Sequence, residues 1–275
     1  MSVSQRSPVT FVVTIMALVF LYVPLAVVVL FSFHATGALS FPFTGFSFRW
    51  YEETLSSPEF RAALWNSTVV ALSVSFFTLI LGTMAAYGLM RCRPRLRAPL
   101  AALFFLPITL PGLFVGISLL VYFARLGVQL SFATVAIAHF VFVFPYFFLI
   151  ATAALDRLDP ALEEAASDLG ASPGTVFRKV TLPQVWPILA AATALSFALS
   201  FDEFIITFFV IGPDSTLPMF IFSKLRRTVD PSINVVSTLL MAITLALWAV
   251  AFIFVLRAAR GRARRADALL LGGAS

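Results

Sequence analysis

A chain of 275 residues in which 60% of the residues are hydrophobic and only 12% are charged does not have the composition of a soluble protein. Soluble domains contain about 45–50% apolar and about 25% charged residues, so the apolar excess must face lipid. The net charge of +6 does not indicate nucleic-acid binding, because the arginines cluster beside apolar segments, as topology signals do. The single cysteine, Cys92, excludes an intramolecular disulfide and a cysteine-rich metal site.

Six apolar segments are long enough to cross a bilayer, which takes about 20 residues of helix. They predict an all-α integral membrane protein with one transmembrane domain over residues 1–275. The first segment could be a signal peptide, but its apolar run exceeds the roughly 7–15 residues of a signal sequence, and we expect an uncleaved helix. The predicted spans are residues 9–33, 65–89, 98–124, 132–155, 188–211 and 234–256.

The distribution of lysine and arginine predicts that both termini lie in the cytoplasm. With the N-terminus inside, 13 of the 19 basic residues lie on the cytoplasmic side, together with the loop 156–187. The inside residues are Arg6, Arg91, Arg93, Arg95, Arg97, Arg157, Arg178, Lys179, Arg257, Arg260, Arg262, Arg264 and Arg265.

Two segments on the outer side mix apolar and charged residues. Residues 47–65 predict a short amphipathic helix at the membrane surface, and residues 216–228 have the same mixed character. Interfacial anchoring and docking of an extracytoplasmic substrate-binding protein both suit these patterns. Between the two segments, Pro107, Pro111 and Pro145 interrupt the third and fourth spans, which indicates kinks or cavity-lining breaks.

The cytoplasmic loop 156–187 carries strong helix signals. Asp159-Pro160 predicts a helix start, with an acidic N-cap before a proline at the first helical position. Gly170 suits the left-handed residue that ends a helix, and Ser172-Pro173 predicts a second helix that ends before Leu182-Pro183. An amphipathic hairpin lying on the membrane is the alternative. However, acidic residues outnumber basic ones here, whereas a membrane-surface helix usually has a basic polar face.

The same loop closely resembles the EAA loop of ABC-transporter permeases. The likeness rests on Glu164-Ala165-Ala166, Gly170, Ala171-Ser172, Phe177 and Leu182-Pro183. It implies a type I ABC importer-like fold, in which the loop forms a coupling helix seated in a groove of a cytoplasmic ATPase. The residues that it implies for ATPase coupling are Glu163, Glu164, Ala165, Ala166, Asp168, Gly170, Leu182 and Pro183.

Asp202 and Glu203 lie near the middle of the fifth predicted span. A carboxylate at the bilayer centre costs about 2.5–3.5 kcal/mol, so an unpaired acid facing lipid is not expected. Among the other spans, His139 is the one obvious partner at comparable depth. The pair therefore either contacts a neighbouring helix or lines a path for a cation, with Phe201 and Phe204 supplying aromatic faces for an amine.

The region around the acidic pair resembles the fifth helix of the polyamine (spermidine/putrescine) permeases. The likeness covers residues 199–204, 207–209 and 212–213, continues through Leu217-Pro218 to Val236, and extends weakly back to Trp50-Tyr51 and Asn66-Ser67. It implies import of polyamines across a bacterial inner membrane, with Asp202, Glu203, Phe201 and Phe204 on the substrate path. Permeases for iron, opines or phosphonates share much of this framework and are the alternatives.

The chain has no Gly-rich loop ending in Gly-Lys-Ser/Thr, so it lacks the usual cradle for a nucleotide. We expect no catalytic residue, cofactor or metal here, and the resemblance implies that a partner ABC ATPase dimer uses ATP-Mg. It also implies a periplasmic substrate-binding protein and a second permease subunit that is a paralogue. A proton-coupled secondary transporter, with Asp202, Glu203 and His139 as a relay, is the competing class, but it gives the capped cytoplasmic loop no purpose.

Overall fold

The computed structural model describes residues 8–36, 43, 45–227 and 231–272, most of which are helical. Arg6 and Thr228, which enter the predictions above, lie outside the described residues. The π-turns Thr78–Gly82 and Phe177–Thr181 join α3 to α4 and α9 to α10. The α-helices are α1 (Pro8–Ser32), α2 (Arg49–Ser56), α3 (Pro58–Phe77), α4 (Thr83–Arg91), α5 (Pro94–Phe105), α6 (Gly112–Arg125), α7 (Phe132–Leu155), α8 (Pro160–Asp168), α9 (Pro173–Val176), α10 (Leu182–Phe201), α11 (Ile205–Val210), α12 (Leu217–Arg227) and α13 (Ser232–Gly272).

Within the part of the chain that the structure describes, five helical stretches are long and apolar enough to cross a membrane, and a sixth span is complete if the bent pair α5–α6 counts as one. The predicted all-α membrane fold is therefore confirmed. The number of spans equals the predicted six when α5 and α6 are counted as one span. The five stretches are Val9–Ser32, Pro58–Arg91, Phe132–Leu155, Pro173–Phe201 and Ser232–Val250.

The third span is broken, with a bend of 101° between Pro94–Thr109 and Gly112–Arg125. The cause is Pro111, because a proline disfavours helical backbone in the residue before it, and Leu110 is extended with ψ 129°. Pro111 is itself extended, so α6 starts afresh at Gly112. At Pro145, in contrast, α7 continues without a break.

The fifth span differs from the predicted helix 188–211. The helix begins at Pro173, passes through the π-turn and ends at Phe201. Leu182-Pro183 was expected to end the second loop helix, and this expectation is wrong. The proline occupies the first turn of α10, directly after the π-turn, where its missing N–H is tolerated.

One compact unit comprises Ala62–Met219 and Ile243–Ser275. Within it, α7 packs against α4, α6, α10 and α11, and its Phe147 and Phe148 are fully buried. The close approach of the second span to α7 depends on Gly82, since a Cβ there would lie 2.5 Å from Cδ1 of Phe147. Helix α7 is therefore the central helix of this unit, against which both α10 and α11 pack.

The other unit comprises Met1–Arg61 and Phe220–Ala242. The amphipathic helix predicted over residues 47–65 is present only over α2, because Ser57 is extended and residues 58–65 already belong to α3. In α2, Trp50 donates an indole N–H to the carbonyl of His34 at 2.9 Å, and the hydroxyl groups of Tyr51 and Ser32 lie 2.8 Å apart. These bonds fix α2 beside the end of α1.

Candidate functional site

Helix α8, the predicted coupling helix, starts at the cap that the sequence predicts. Asp159 Oδ1 accepts a hydrogen bond from the N–H of Ala161 at 3.0 Å, and Pro160 follows the cap directly. Ser172 has extended backbone and precedes α9, the predicted second loop helix. Both helix starts in the loop therefore follow from local sequence, independent of any partner.

The end of α8 is closed by a left-handed glycine. Gly170 has φ +81°, and its N–H donates to the carbonyl of Ser167 at 2.9 Å. The N–H of Ala171 donates to the carbonyl of Ala166 at 3.1 Å. This pair of bonds is a Schellman motif, which satisfies the last carbonyls of a helix and turns the chain away from it.

The outward face of α8 combines apolar and acidic side chains, and we call it the coupling surface: Leu162, Glu164, Ala165, Asp168 and Leu169. All five are exposed. Leu169, next to the glycine turn, is 89% exposed, and Leu162 is 48% exposed. A protruding leucine flanked by two carboxylates offers a partner both an apolar anchor and a charge pattern.

Three of the other residues predicted for ATPase coupling are not exposed, whereas Gly170 and Pro183 are. Ala166 is half-buried, Leu182 packs into the core beside α7, and Pro183 is exposed at the start of α10. The Glu163 side chain is only 14% exposed and pairs with Arg91 at 2.6 Å. From the sequence alone Arg91 is only a topology signal, since a contact across 72 residues leaves no local pattern.

Asp202 and Glu203 lie at a break between α10 and α11, not within a continuous helix as predicted. Asp202 is the C-cap of α10, with its N–H donating to the carbonyl of Ala198 at 3.2 Å. Glu203 Oε1 accepts from the N–H of Ile206 at 3.0 Å and so caps the start of α11. The two carboxylates therefore have different surroundings.

The Asp202 carboxylate lies at the helix end that disfavours it. The C-terminus of a helix carries unpaired carbonyls and a partial negative charge, which repel an anion and attract a cation. Asp202 is exposed, and among the described residues no cation or hydrogen-bond donor contacts its side chain. A carboxylate beside helix-end carbonyls can hold a positively charged group.

His139, the predicted partner of the acidic pair, instead bridges the two sides of the break. Its Nδ1 lies 2.9 Å from Ser200 Oγ at the end of α10, and its Nε2 lies 2.8 Å from Thr207 Oγ1 in α11. The Thr207 hydroxyl donates to the carbonyl of Glu203 at 2.8 Å, so it accepts from Nε2–H. In the neutral ring Nδ1 then accepts a hydrogen bond from the Ser200 hydroxyl. Each group donates to the next, from Ser200 through His139 and Thr207 to the carbonyl of Glu203.

The aromatic residues beside the break have different degrees of burial. Phe201 is only 2% exposed and stacks on Phe197 with centroids 5.5 Å apart. Phe204 is half-buried, with its ring 6.0 Å from that of Phe208. Across the described ranges, no group of three or more His, Cys, Asp or Glu could hold a metal ion.

A protein-family match covers both features. Residues 78–265 match the family described as binding-protein-dependent transport system inner membrane component, and this stretch includes the coupling surface and the break at Asp202. The chain belongs to this family. The permease is thus a multi-pass inner-membrane component of a transport system, as the likeness of its cytoplasmic loop implied.

Two relatives agree with this assignment, and one solved structure has a similar fold. The permease is 34% identical over 267 residues to the putrescine transport system permease protein PotI of Escherichia coli (strain K12), covering 94% of this chain and 95% of PotI. It is 32% identical over 227 residues to the spermidine/putrescine transport system permease protein PotC of the same strain, covering 82% and 86%. Its fold is similar to a chain of a bacterial ABC transporter that imports the acidic polysaccharide alginate, with TM-score 0.68, 15% identity and 93% and 94% coverage. The fold and the family predicted from the sequence are confirmed.

Proposed function

We propose that this permease is a membrane-spanning subunit of an ATP-driven importer that moves polyamines such as spermidine and putrescine across a bacterial inner membrane. The observation that carries the proposal is the 34% identity to PotI, which extends over nearly the whole of both chains. Energy comes from ATP-Mg used by a partner ABC ATPase, and this chain performs no chemistry itself.

The break in the fifth span supports a cationic substrate. A polyamine carries ammonium groups, which a free carboxylate and helix-end carbonyls attract. Asp202 has both features and is exposed, whereas Glu203 already binds the backbone of α11. Asp202 is therefore the residue that we assign to the amine, with Glu203 and Phe204 beside it.

The coupling surface supports docking of the ATPase. Its exposed Leu169 stands on a helix whose two ends are closed by local hydrogen bonds, so little conformational entropy is lost when a groove receives it. The acidic Glu164 and Asp168 suit a groove with basic rims. A periplasmic substrate-binding protein and a paralogous second permease subunit complete the proposed complex.

Part of the proposal is an orientation, with both termini and α8 in the cytoplasm. In a Cys92→Ala background, a thiol reagent that cannot cross the membrane should label Asp214→Cys and miss Ser172→Cys in intact cells. Asp214 is an exposed position that accepts a side chain, whereas a Cβ at neighbouring Gly212 would lie 2.5 Å from the Leu130 carbonyl oxygen. If the reagent labelled Ser172→Cys and not Asp214→Cys, the chain would have the opposite orientation in the membrane.

Substrate competition tests the substrate class. Cells that express the whole complex should take up labelled putrescine or spermidine, and cells that lack this chain should not. Unlabelled diamines and triamines should compete with the label, while ferric ions and an alkylphosphonate should not. Uptake of one of the latter in place of amines would replace the polyamine assignment by one of its alternatives.

A further inference from the structure

The inward face of α8 is anchored through Glu163, and both oxygens of its carboxylate are engaged. Oε2 accepts from Arg91 Nη2 at 2.6 Å, and Oε1 accepts from the Thr181 hydroxyl. Thr181 is fully buried, and the Glu163 side chain is 14% exposed. We call these three residues the Arg91–Glu163–Thr181 joint.

The joint is built differently from an ordinary surface ion pair. In the pair Arg97–Asp156, which is equally short at 2.5 Å, both side chains are about half exposed and water screens them. Arg91 is exposed to the same degree, but its partner Glu163 is only 14% exposed and has a second partner in the buried Thr181. In the joint, the Arg91 guanidinium also lies over the Tyr87 ring at 5.1 Å and donates to the Tyr87 hydroxyl at 3.0 Å. The Arg91 guanidinium therefore contacts Tyr87 as well as the Glu163 carboxylate.

Three elements meet at the joint. Arg91 is the last residue of the second span, Glu163 belongs to the first turn of α8, and Thr181 ends the π-turn that leads into α10. A second contact reinforces the first, since the Tyr87 ring packs on Phe177 of the π-turn with centroids 4.6 Å apart. The other end of α10 is the break at Asp202, so one continuous helix connects the joint to the proposed cation site.

We infer that the Arg91–Glu163–Thr181 joint transmits movement of α8 to the second and fifth spans, which makes Arg91 and Thr181 positioning residues for coupled transport. The inference rests on the proposed docking of an ATPase on α8. A displacement of α8 must either carry Arg91 and Thr181 with it or break charge-assisted hydrogen bonds, which are the stronger class of hydrogen bond. Glu163 serves transmission, whereas the outward coupling surface serves docking.

Charge reversal in the complete complex tests the joint. The complex of both permeases, the ATPase and the binding protein is reconstituted, and two quantities are measured: the amount of ATPase bound, and the ATP hydrolysed per putrescine taken up. Arg91→Glu and Glu163→Arg, each alone, should raise the ATP used per putrescine several-fold with the ATPase still bound. The double variant should restore the ratio, because Arg at 163 can pair with Glu at 91 and donate to the Thr181 hydroxyl, which can also accept.

Two controls distinguish the possible failures. Arg97→Glu and Asp156→Arg disrupt an exposed pair on the same side of the protein and should leave the ratio within about twofold of wild type. Thr181→Val removes only the hydroxyl, so it remains informative if a charge reversal prevents insertion, and it too should raise the ratio. The proposed role of the joint would be refuted if Thr181→Val and both single charge reversals used a normal amount of ATP per putrescine. It would also be refuted if the double variant inserted into the membrane but did not restore the wild-type amount. If wild-type complex contains no ATPase, the proposed function itself fails.

Discussion

Replacing Gly170 by valine should release the ATPase from the complex or uncouple its hydrolysis from transport, while the chain still inserts into the membrane. Gly170 has φ +81°, and a left-handed conformation costs an L residue about 1–2 kcal/mol. Nothing lies within 4 Å of a Cβ placed there, so the effect is conformational and not steric. A cost of this size lowers the population of the correctly shaped loop about 5- to 30-fold. Co-purification of the ATPase with the tagged permease measures the loss.

The loop contains its own matched control. A Cβ at Gly174 also meets nothing within 4 Å, but Gly174 lies within the helical turn of α9 and its backbone suits a side chain. Gly174→Val should therefore bind the ATPase normally, and Gly170→Asn should bind better than Gly170→Val, because asparagine tolerates the left-handed region. Equal ATPase binding by Gly170→Val, Gly174→Val and wild type would refute docking through this turn.

Asp202→Asn should reduce putrescine uptake by about tenfold or more, with substrate capture by the separate binding protein unchanged. Asparagine keeps the shape of the side chain and removes the negative charge, and each 1.4 kcal/mol of lost attraction lowers affinity tenfold. Initial uptake rates over a range of putrescine concentrations measure the effect. An uptake rate equal to that of wild type would remove Asp202 from the substrate path.

Glu203→Gln is the matched control for Asp202→Asn. Glutamine retains a carbonyl oxygen that can accept from the N–H of Ile206, so the start of α11 stays capped. We expect the Glu203→Gln permease to transport within a few-fold of wild type. A larger loss in Glu203→Gln than in Asp202→Asn would exchange the roles that we assign to the two acids.

The features that could be predicted from the sequence are those with local causes. The caps at Asp159 and Gly170 follow from backbone chemistry within a few residues, and long apolar runs predict spans whatever packs against them. The start of the second loop helix at Ser172-Pro173 was predicted for the same reason. These parts of the fold and of the coupling loop were therefore accessible without a structure.

The remaining features depend on tertiary contacts. Apolar residues continue on both sides of Asp202, so hydropathy alone predicted one helix there. His139 bonds Ser200 on one side of the break and Thr207 on the other, and it lies 61 residues before Ser200 in the chain. Likewise, the helix continues through Leu182-Pro183 directly after the π-turn Phe177–Thr181, and neither hydropathy nor helix propensity predicts a π-turn at that position.

The most direct test of the central claim is ATP-driven putrescine accumulation in proteoliposomes that contain this permease, its partner permease and the ATPase. The substrate-binding protein is supplied on the outer side, ATP-Mg is enclosed, and labelled putrescine is counted inside. We predict that putrescine accumulates only when both ATP and the binding protein are present. The Asp202→Asn and Gly170→Val variants should each accumulate much less putrescine than wild type. Accumulation without ATP, driven by an imposed proton gradient, would contradict the account and identify a secondary transporter.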